Sequence, residues 1–236
     1  MGILDIILYV LIGVLVIGLV VCLAIANYAG SNLVAIFERY EKLNAEFFNT
    51  LTLAKNISSG EFNNKIVVNV IDGFLTDYYH AGSINLSSRV AFGSNVSAFS
   101  VCAHELGHAM QYRDTPEKMR KFAKKLKLSA FLSNLTLPLL LIGVICIIFN
   151  IIAALVLCGL SFLTFFIGLL TKLSTIKIEK EASLNGLKLL QKYADFDNEK
   201  LKYAKKVLSA AKLTYIALFL KSVLKWTMLV NKYDFY

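Results

Sequence analysis

Three reactive side chains fall within five residues of one another in the stretch Ala103–Ala109, AHELGHA. On an α-helix, His104 and His108 stand one turn apart on the same face, so both imidazoles can bind one metal ion. Glu105 projects beside them, where it can accept a proton from a water molecule that the metal activates. This spacing is typical of zinc metallopeptidases. The alternative is a solvated surface helix, but only three histidines occur in the chain and two of them lie here.

A catalytic zinc ion needs a third protein ligand, and the candidates downstream are Glu179 and Glu181. In a helix, Glu179 shares a face with small and apolar residues such as Gly186, which would allow the zinc-binding helix to approach closely. Glu181 shares its face with Asn185 and Lys188, so its side chain is expected to be solvated. We therefore predict Glu179 as the third ligand, with Glu181 as the alternative.

The composition predicts an integral membrane protein. With 57% hydrophobic residues and a mean hydropathy of +0.62, the 236-residue chain is too apolar for an ordinary soluble domain. Residues 6–26 carry no charge and are long enough to span a bilayer. They are predicted to be a retained anchor rather than a cleaved signal peptide, because only Asp5 precedes them and a signal peptide begins with positive charge.

A second apolar segment, residues 128–171, also carries no charged residue. As one helix it would measure about 65 Å, twice the thickness of the hydrocarbon core, so it is predicted to form a helical hairpin that turns at Asn150. The last apolar stretch, residues 213–230, contains Lys221 and Lys225. The sequence leaves open whether this stretch spans the membrane or lies at its surface.

The net charge of +9 indicates an anionic membrane surface as partner rather than nucleic acid, because the lysines flank apolar segments. Basic residues accumulate on both sides of the hairpin, within 113–127 and 172–180, so both sides are predicted to be cytoplasmic. The histidine pair and Glu179 would then share one side of the membrane. The four cysteines do not suggest disulfides, and Cys102 is expected to pack in the core rather than bind the metal.

Between the anchor and the zinc motif, the pattern predicts a small region of mixed helix and strand. Ser94 or Asn95 is positioned to cap the zinc-binding helix, which should end near Gln111, and Pro116 suits the first turn of the next helix. The other predicted elements are an amphipathic helix over 31–53, a turn at 58–60 and 63–64, strands over 65–71 and 83–86, and a loop over 73–82.

The predicted fold class is a mainly α integral membrane protein, with transmembrane helices and a small α+β zinc-metallopeptidase domain. Five segments are expected. They are an N-terminal transmembrane anchor (1–30), a cytoplasmic metallopeptidase domain with the zinc-binding helix (31–127), a transmembrane hairpin (128–173), a cytoplasmic helix with the third ligand (174–212), and a C-terminal transmembrane or interfacial helix (213–236).

Taken together, four short motifs resemble the YugP-type bacterial membrane zinc metallopeptidases, which are gluzincin-like and related in style to the CAAX prenyl protease and HtpX-type proteases. The resemblance runs from about Lys65 to the C-terminus and includes the placement of the hairpin. It implies one zinc ion bound by His104, His108 and Glu179, with Glu105 as the catalytic base. The motifs are LTDYY at 75–79, INLS at 84–87, AHELGHAMQ at 103–111 and EKEAS at 179–183.

The same resemblance implies where a substrate peptide would bind. The strand 83–86 resembles the edge strand that pairs with substrate backbone in the wider group, which makes Ile84, Asn85 and Leu86 candidate substrate-binding residues. The CAAX prenyl protease type has a histidine after the glutamate ligand that steadies the oxyanion, and this chain has no histidine after His108. The candidates for stabilising the oxyanion, and for contacting the substrate, are Tyr78, Tyr79 and His80.

A second departure concerns the residues that would support the ligands. The wider gluzincin pattern has an aspartate four residues after the glutamate ligand, where this chain has Ser183. Ser183 and Asp77 are therefore the candidates for supporting the metal ligands, although Asp77 could equally cap a turn.

The predicted function is an integral-membrane zinc endopeptidase that hydrolyses peptide or protein substrates, with its active site facing the cytoplasm. One alternative is a metal-binding membrane scaffold without proteolysis. Another is an intramembrane protease of the site-2 type, which is less favoured because the apolar run over 96–110 is too short to span the membrane. The sequence indicates neither the natural substrate nor the oligomeric state.

Overall fold

The computed structural model of the chain describes residues 3–46 and 48–224. Most of these residues are helical, and three short strands form one small sheet, which confirms the predicted fold class. The elements are α1 (Ile3–Glu41), α2 (Thr50–Phe62), β1 (Val67–Ile71), β2 (Tyr78–His80), β3 (Ser83–Ser87), α3 (Ser88–Ala91), α4 (Val96–Asp114), α5 (Pro116–Cys146), α6 (Ile151–Leu173), α7 (Ile176–Tyr193) and α8 (Asn198–Leu224).

Three stretches of the described chain are long and apolar enough to cross a membrane as helices. They are Val20–Glu41, Pro116–Cys146 and Ile151–Tyr193, the last of which comprises α6 and α7. The predicted anchor over 6–26 lies within α1. Helix α4, which carries the predicted zinc motif, lies outside all three stretches.

Where the sequence predicts a hairpin over 128–171, the chain forms two helices, α5 and α6, separated by a turn at 147–150. Helix α5 ends at Cys146, and the side-chain oxygen of Asn150 accepts hydrogen bonds from the first backbone amides of α6. The two arms are also joined by polar side chains inside the apolar segment, where the Ser161 hydroxyl donates to the carbonyl of Thr136 at 2.7 Å. Such hydrogen bonds between helices are a usual means of association where apolar contact alone favours no partner.

The C-terminal apolar stretch is only partly described. Helix α8 runs continuously from Asn198 to Leu224 and includes Lys221, whereas Lys225 and the rest of the predicted segment 213–230 lie outside the described residues. Whether this stretch spans the membrane therefore stays a prediction.

The described residues fall into two compact units. One comprises 3–30, 123–175 and 214–224, and the other comprises 31–46, 48–122 and 176–213. The second unit contains the sheet, α4 and α7, and its core is a single apolar cluster. Fully buried members of this cluster include Phe37, Leu53, Ile84, Phe99, Leu106 and Leu190.

The amphipathic helix predicted over 31–53 is wrong as one element. Helix α1 continues to Glu41, the chain then leaves the helix, and α2 begins at Thr50, with the Asn49 side chain capping its first turn. The break is stabilised by tertiary hydrogen bonds, including one from the backbone amide of Ala45 to the carbonyl of Ser94 at 2.9 Å. A pattern of apolar residues cannot reveal this pairing.

The turn predicted after that helix is confirmed only in its second half. Residues 58–60 continue α2, whereas Asn63 and Asn64 adopt positive φ values of 51° and 59° and end it. Asparagine tolerates the left-handed conformation better than most residues, which makes it a common helix terminator.

The sheet has the order β1-β3-β2, with β1 parallel and β2 antiparallel to β3. The loop predicted over 73–82 is wrong at residues 78–80, which form β2. Ala81 and Gly82 join β2 to β3 with φ values of 45° and 89°, the two positive angles that a tight two-residue hairpin requires. The prediction that 83–86 is an edge strand is also wrong, because β3 pairs on both sides. Among the described residues, β2 is the edge strand beside α4.

Candidate metal centre

Helices α4 and α7 approach each other unusually closely through two glycines. A Cβ atom placed on Gly107 would lie 2.2 Å from the backbone oxygen of Ala182, and one on Gly186 would lie 2.8 Å from the backbone oxygen of Ala103. Both distances are too short for any other side chain. The two glycines therefore let the backbones touch, which brings the histidine face of α4 against the Glu179 face of α7.

The structure brings His104, His108 and Glu179 together at this crossing. Glu179 Oε2 lies 3.2 Å from His108 Nε2 and 3.5 Å from His104 Nε2, and one ligand atom from each of the three residues lies within 4.8 Å of the others. No other group of three such residues suited to a metal was found in the described parts of the chain. His104 and His108 lie four residues apart in α4 and therefore share the face that meets Glu179 of α7.

This set of donor atoms fits zinc. Two imidazole nitrogens and one carboxylate oxygen, with room for a water molecule, form the usual catalytic set for this ion. Tetrahedral coordination with bonds of about 2.0–2.1 Å puts neighbouring ligand atoms roughly 3.3 Å apart, which matches the two distances to the Glu179 oxygen. All three residues are largely buried, so a divalent cation is the natural partner for the charge of Glu179.

The titration of the three groups is consistent with a shared site. Burial alone would raise the pKa of Glu179, but hydrogen bonds with both histidine rings outweigh burial and lower it. Burial lowers the pKa of His104. For His108, burial acts in the same direction, but Glu179 and Glu105 outweigh it and raise the pKa. The carboxylate is therefore ionised at neutral pH, which is the form that binds a cation.

Glu105 lies beside the trio and is itself 8% exposed. Burial raises the pKa of Glu105 to about 8, with further increases from Asp77 and Glu179 and opposing effects from His108 and a hydrogen bond with the backbone of Tyr79. A divalent cation next to it would favour the charged carboxylate. Glu105 is therefore a buried ionisable group beside the trio.

Each histidine meets a neutral partner through its second ring nitrogen. His104 Nδ1 lies 3.2 Å from the hydroxyl of Ser183, which also donates to the backbone oxygen of Glu179. Ser183 is thus placed where the sequence predicted a supporting residue. His108 Nδ1 lies 3.0 Å from Oε1 of Gln111. Sequence reasoning assigned no role to Gln111, although its position three residues after His108 put it on the same helix face.

Two other residues considered as ligands lie outside the trio. Glu181 forms an ion pair with Lys118, and its side chain is 37% exposed, which agrees with the prediction that its face is solvated. Cys102 is completely buried in the apolar core of the second unit, and burial raises the pKa of its thiol. A protonated core thiol is a packing residue rather than a metal ligand.

Asp77 does not contact the metal ligands. Its carboxylate accepts hydrogen bonds from the backbone amide of Ser87 at 2.7 Å and from the Ser87 hydroxyl at 3.2 Å. Although burial raises its pKa, these bonds favour the charged form. Asp77 therefore joins the loop before β2 to the end of β3, which is the turn-capping role that the sequence left open.

The predicted substrate-binding residues divide into a buried and an exposed group. Ile84 and Leu86 are completely buried, and Asn85 accepts a hydrogen bond from Asn69 of the neighbouring strand at 3.0 Å. In β2, Tyr78 and His80 are exposed. These three residues of β3 therefore pack in the core or bond within the sheet, whereas β2 exposes two of its side chains at the surface.

Tyr79 is the residue of β2 that contacts both the sheet and α4. Its hydroxyl accepts a hydrogen bond from the amide of Gly82, and its ring packs on Tyr112 with 5.1 Å between centroids. The Tyr79 hydroxyl is thus hydrogen-bonded within the β2–β3 turn. The backbone of Tyr79, rather than its side chain, is the part that reaches Glu105.

Comparison with known proteins gives a family match and one curated relative. Residues 15–233 match the family described as "Putative neutral zinc metallopeptidase". The chain is 29% identical over 207 residues to the "Putative membrane protease YugP" of Bacillus subtilis (strain 168), an alignment that covers 86% of this chain and 89% of that protein. No solved structure gives a significant match.

Proposed function

Because the chain belongs to the family described as "Putative neutral zinc metallopeptidase", we propose that it is an integral-membrane zinc endopeptidase in which Glu105 acts as general base. The observation that carries this proposal is the position of Glu105 beside the trio of His104, His108 and Glu179 in one buried site. A site that only stored a metal would not need a fourth, ionisable group at this position.

The proposed ligands are the Nε2 atoms of His104 and His108 and the carboxylate of Glu179. A zinc ion at this position supplies Lewis-acid polarisation of a substrate carbonyl and activation of a water molecule near neutral pH. The chain contributes ligands on two helices in direct backbone contact, so the donor atoms are already close together before the ion binds. Such preorganisation lowers the cost of ordering the site.

Glu105 moves the protons in the proposed reaction. Its carboxylate accepts a proton from the attacking water and then donates it to the amine that leaves when the peptide bond breaks. The hydrogen bond with the backbone of Tyr79 holds this carboxylate on the side of α4 that faces β2.

A substrate peptide is proposed to bind in extended form along the outer edge of β2. In a two-residue hairpin the closing pair, His80 and Ser83, exchanges hydrogen bonds, so the next pair, Tyr79 and Ile84, does not. The amide and carbonyl of Tyr79 therefore point away from β3; the amide is hydrogen-bonded to Glu105, which leaves the carbonyl to pair with a peptide. A peptide that pairs with this edge would be carried past Glu105 by backbone hydrogen bonds, with little demand on its side chains.

The active site is proposed to face the cytoplasm. The support is the concentration of lysine and arginine on both sides of the α5–α6 hairpin, together with the two crossings that return the chain to the same side. The substrates accessible to such a site are peptides or proteins of the cytoplasm and the cytoplasmic segments of membrane proteins.

Removal of the metal tests this proposal. The protein purified in detergent is expected to cleave a mixture of unstructured peptides, and a zinc chelator should lower the rate by about 100-fold or more, because polarisation by the metal contributes several kcal/mol. Cleavage would be followed by mass spectrometry, and added zinc should restore it. Cleavage that persists at full rate after the zinc content has fallen to zero would contradict the proposal.

A further inference from the structure

Gln111 is a buried amide whose polar atoms all meet partners. It lies on α4, its side chain is only 4% exposed, and its Oε1 atom is 3.0 Å from Nδ1 of His108. Because this amide is buried, a polar atom of Gln111 that lost its partner would be left without a hydrogen bond. Its orientation is therefore set by its neighbours.

The neighbours of the Gln111 amide nitrogen determine which way the amide faces. Nε2 donates to the backbone oxygen of Ile178 at 2.9 Å and to Oε2 of Glu181 at 3.3 Å. Both partners can only accept, so the nitrogen must face them and Oε1 must face His108. A carbonyl oxygen can only accept as well. Nδ1 of His108 must then carry a proton, so in the neutral ring that binds a metal it is Nε2, the atom 3.2 Å from Glu179, that presents the lone pair.

The same amide also acts on the helix of the third ligand. Ile178 immediately precedes Glu179 in α7, so the hydrogen bond to its carbonyl ties Gln111 to the backbone beside the carboxylate. Glu181 is held in turn by its ion pair with Lys118 at the start of α5. Gln111 thus joins α4 to α7, the two helices that carry the proposed ligands, and Glu181 extends the connection to α5.

We propose that Gln111 is a positioning residue that fixes the tautomer and orientation of His108 for metal binding, with Glu181 and Lys118 holding Gln111 in place. This inference rests on the proposed metal site. In this proposal Glu181 does not bind the metal; it accepts a hydrogen bond from Gln111 and so helps to hold the residue that orients His108. A neutral amide holds the imidazole without adding negative charge, as the Ser183 hydroxyl does at His104.

The test is the zinc affinity of Gln111→Met, measured by competition with a chromophoric chelator. Methionine keeps the length of the side chain but neither accepts from His108 nor donates to Ile178. We expect zinc affinity to fall about 10- to 100-fold, the usual loss when an outer hydrogen-bonding partner of a ligand is removed. The matched control is Gln191→Met, which changes the exposed glutamine of α7 and should leave the affinity unchanged.

Two further readouts separate positioning from a general loss of structure. The visible absorption spectrum of the cobalt-substituted protein should change in Gln111→Met, because the geometry at His108 changes, and should be unaltered in Gln191→Met. Glu181→Ala alters a partly exposed residue and should weaken zinc binding in the same direction but less, so it tests the inference even if Gln111→Met does not fold.

The outcomes distinguish this inference from the proposed function. If the wild-type protein binds zinc and both Gln111→Met and Glu181→Ala match its affinity and cobalt spectrum, the positioning role is refuted while the metal site stands. If the wild-type protein itself binds no zinc, the proposed function fails, and this inference fails with it.

Discussion

Replacing Glu105 with glutamine is expected to lower peptide cleavage by about 10²- to 10⁴-fold while zinc stays bound, which is the range for loss of a positioned general base. Glutamine has the same shape but cannot accept the proton of the attacking water. The metal ligands are on other residues, so the ion should remain. Folding should be preserved as well, because burial already raises the pKa of Glu105 to about 8 and a neutral amide incurs no such burial penalty.

The comparison requires zinc-loaded proteins with equal metal content and a rate assay on one defined peptide. Glu117→Gln is the matched control, because Glu117 is 75% exposed and its ion-pair partner Arg120 lies three residues further along α5 and is 74% exposed. That variant should cleave at the wild-type rate. Cleavage by Glu105→Gln within a few-fold of wild type would remove Glu105 from the mechanism.

Replacing Gly107 with alanine is expected to destabilise the protein by about 1–3 kcal/mol, the usual range for overpacking a tight contact. In an exposed helix interior the same change stabilises by about 1 kcal/mol, so the expected sign is reversed. The reason is the backbone oxygen of Ala182, which lies 2.2 Å from where the new Cβ would be. Helices α4 and α7 must move apart, and the ligands they carry must separate with them.

Two measurements check this prediction. Thermal denaturation of the metal-free proteins in detergent should show a lower midpoint for Gly107→Ala, and chelator competition should show weaker zinc binding. Gly159→Ala in α6 is the control, since nothing beyond the adjacent residues and backbone of its own helix lies within 4 Å of its Cβ position. A Gly107→Ala protein at least as stable as wild type, with unchanged zinc affinity, would mean that close helix contact does not build the site.

The facing of His104, His108 and Glu179 could be predicted because helical periodicity specifies which side chains of one helix share a face, whereas their assignment to one zinc ion came from the need for a third ligand and from the family resemblance. The histidine pair is four residues apart, and the choice of Glu179 over Glu181 followed from the small residues on its face. Gly186 is one of them, and in the structure it meets the backbone of Ala103. The hairpin could be predicted for a similarly simple reason, since helix length and bilayer thickness leave no other arrangement.

The free edge at which we propose that substrate binds could not be predicted, because strand order is a tertiary property. Strand β2 has only three residues, and its pairing with β3 depends on the positive φ angles at Ala81 and Gly82. The order β1-β3-β2 then moves the exposed edge from 83–86 to 78–80. The role of Gln111 depends likewise on the carbonyl of Ile178, which is 67 residues away in the sequence.

The most direct test of the metal site is the zinc content per chain of the detergent-purified protein, compared with Glu179→Ala and Glu181→Ala. We expect about one zinc per chain in the wild type, as for a catalytic site with three protein ligands. Glu179→Ala should lose the metal, because two histidines alone bind zinc weakly, whereas Glu181→Ala should retain it. Loss of zinc with Glu181→Ala but not with Glu179→Ala, or wild-type protein without zinc, would contradict the account.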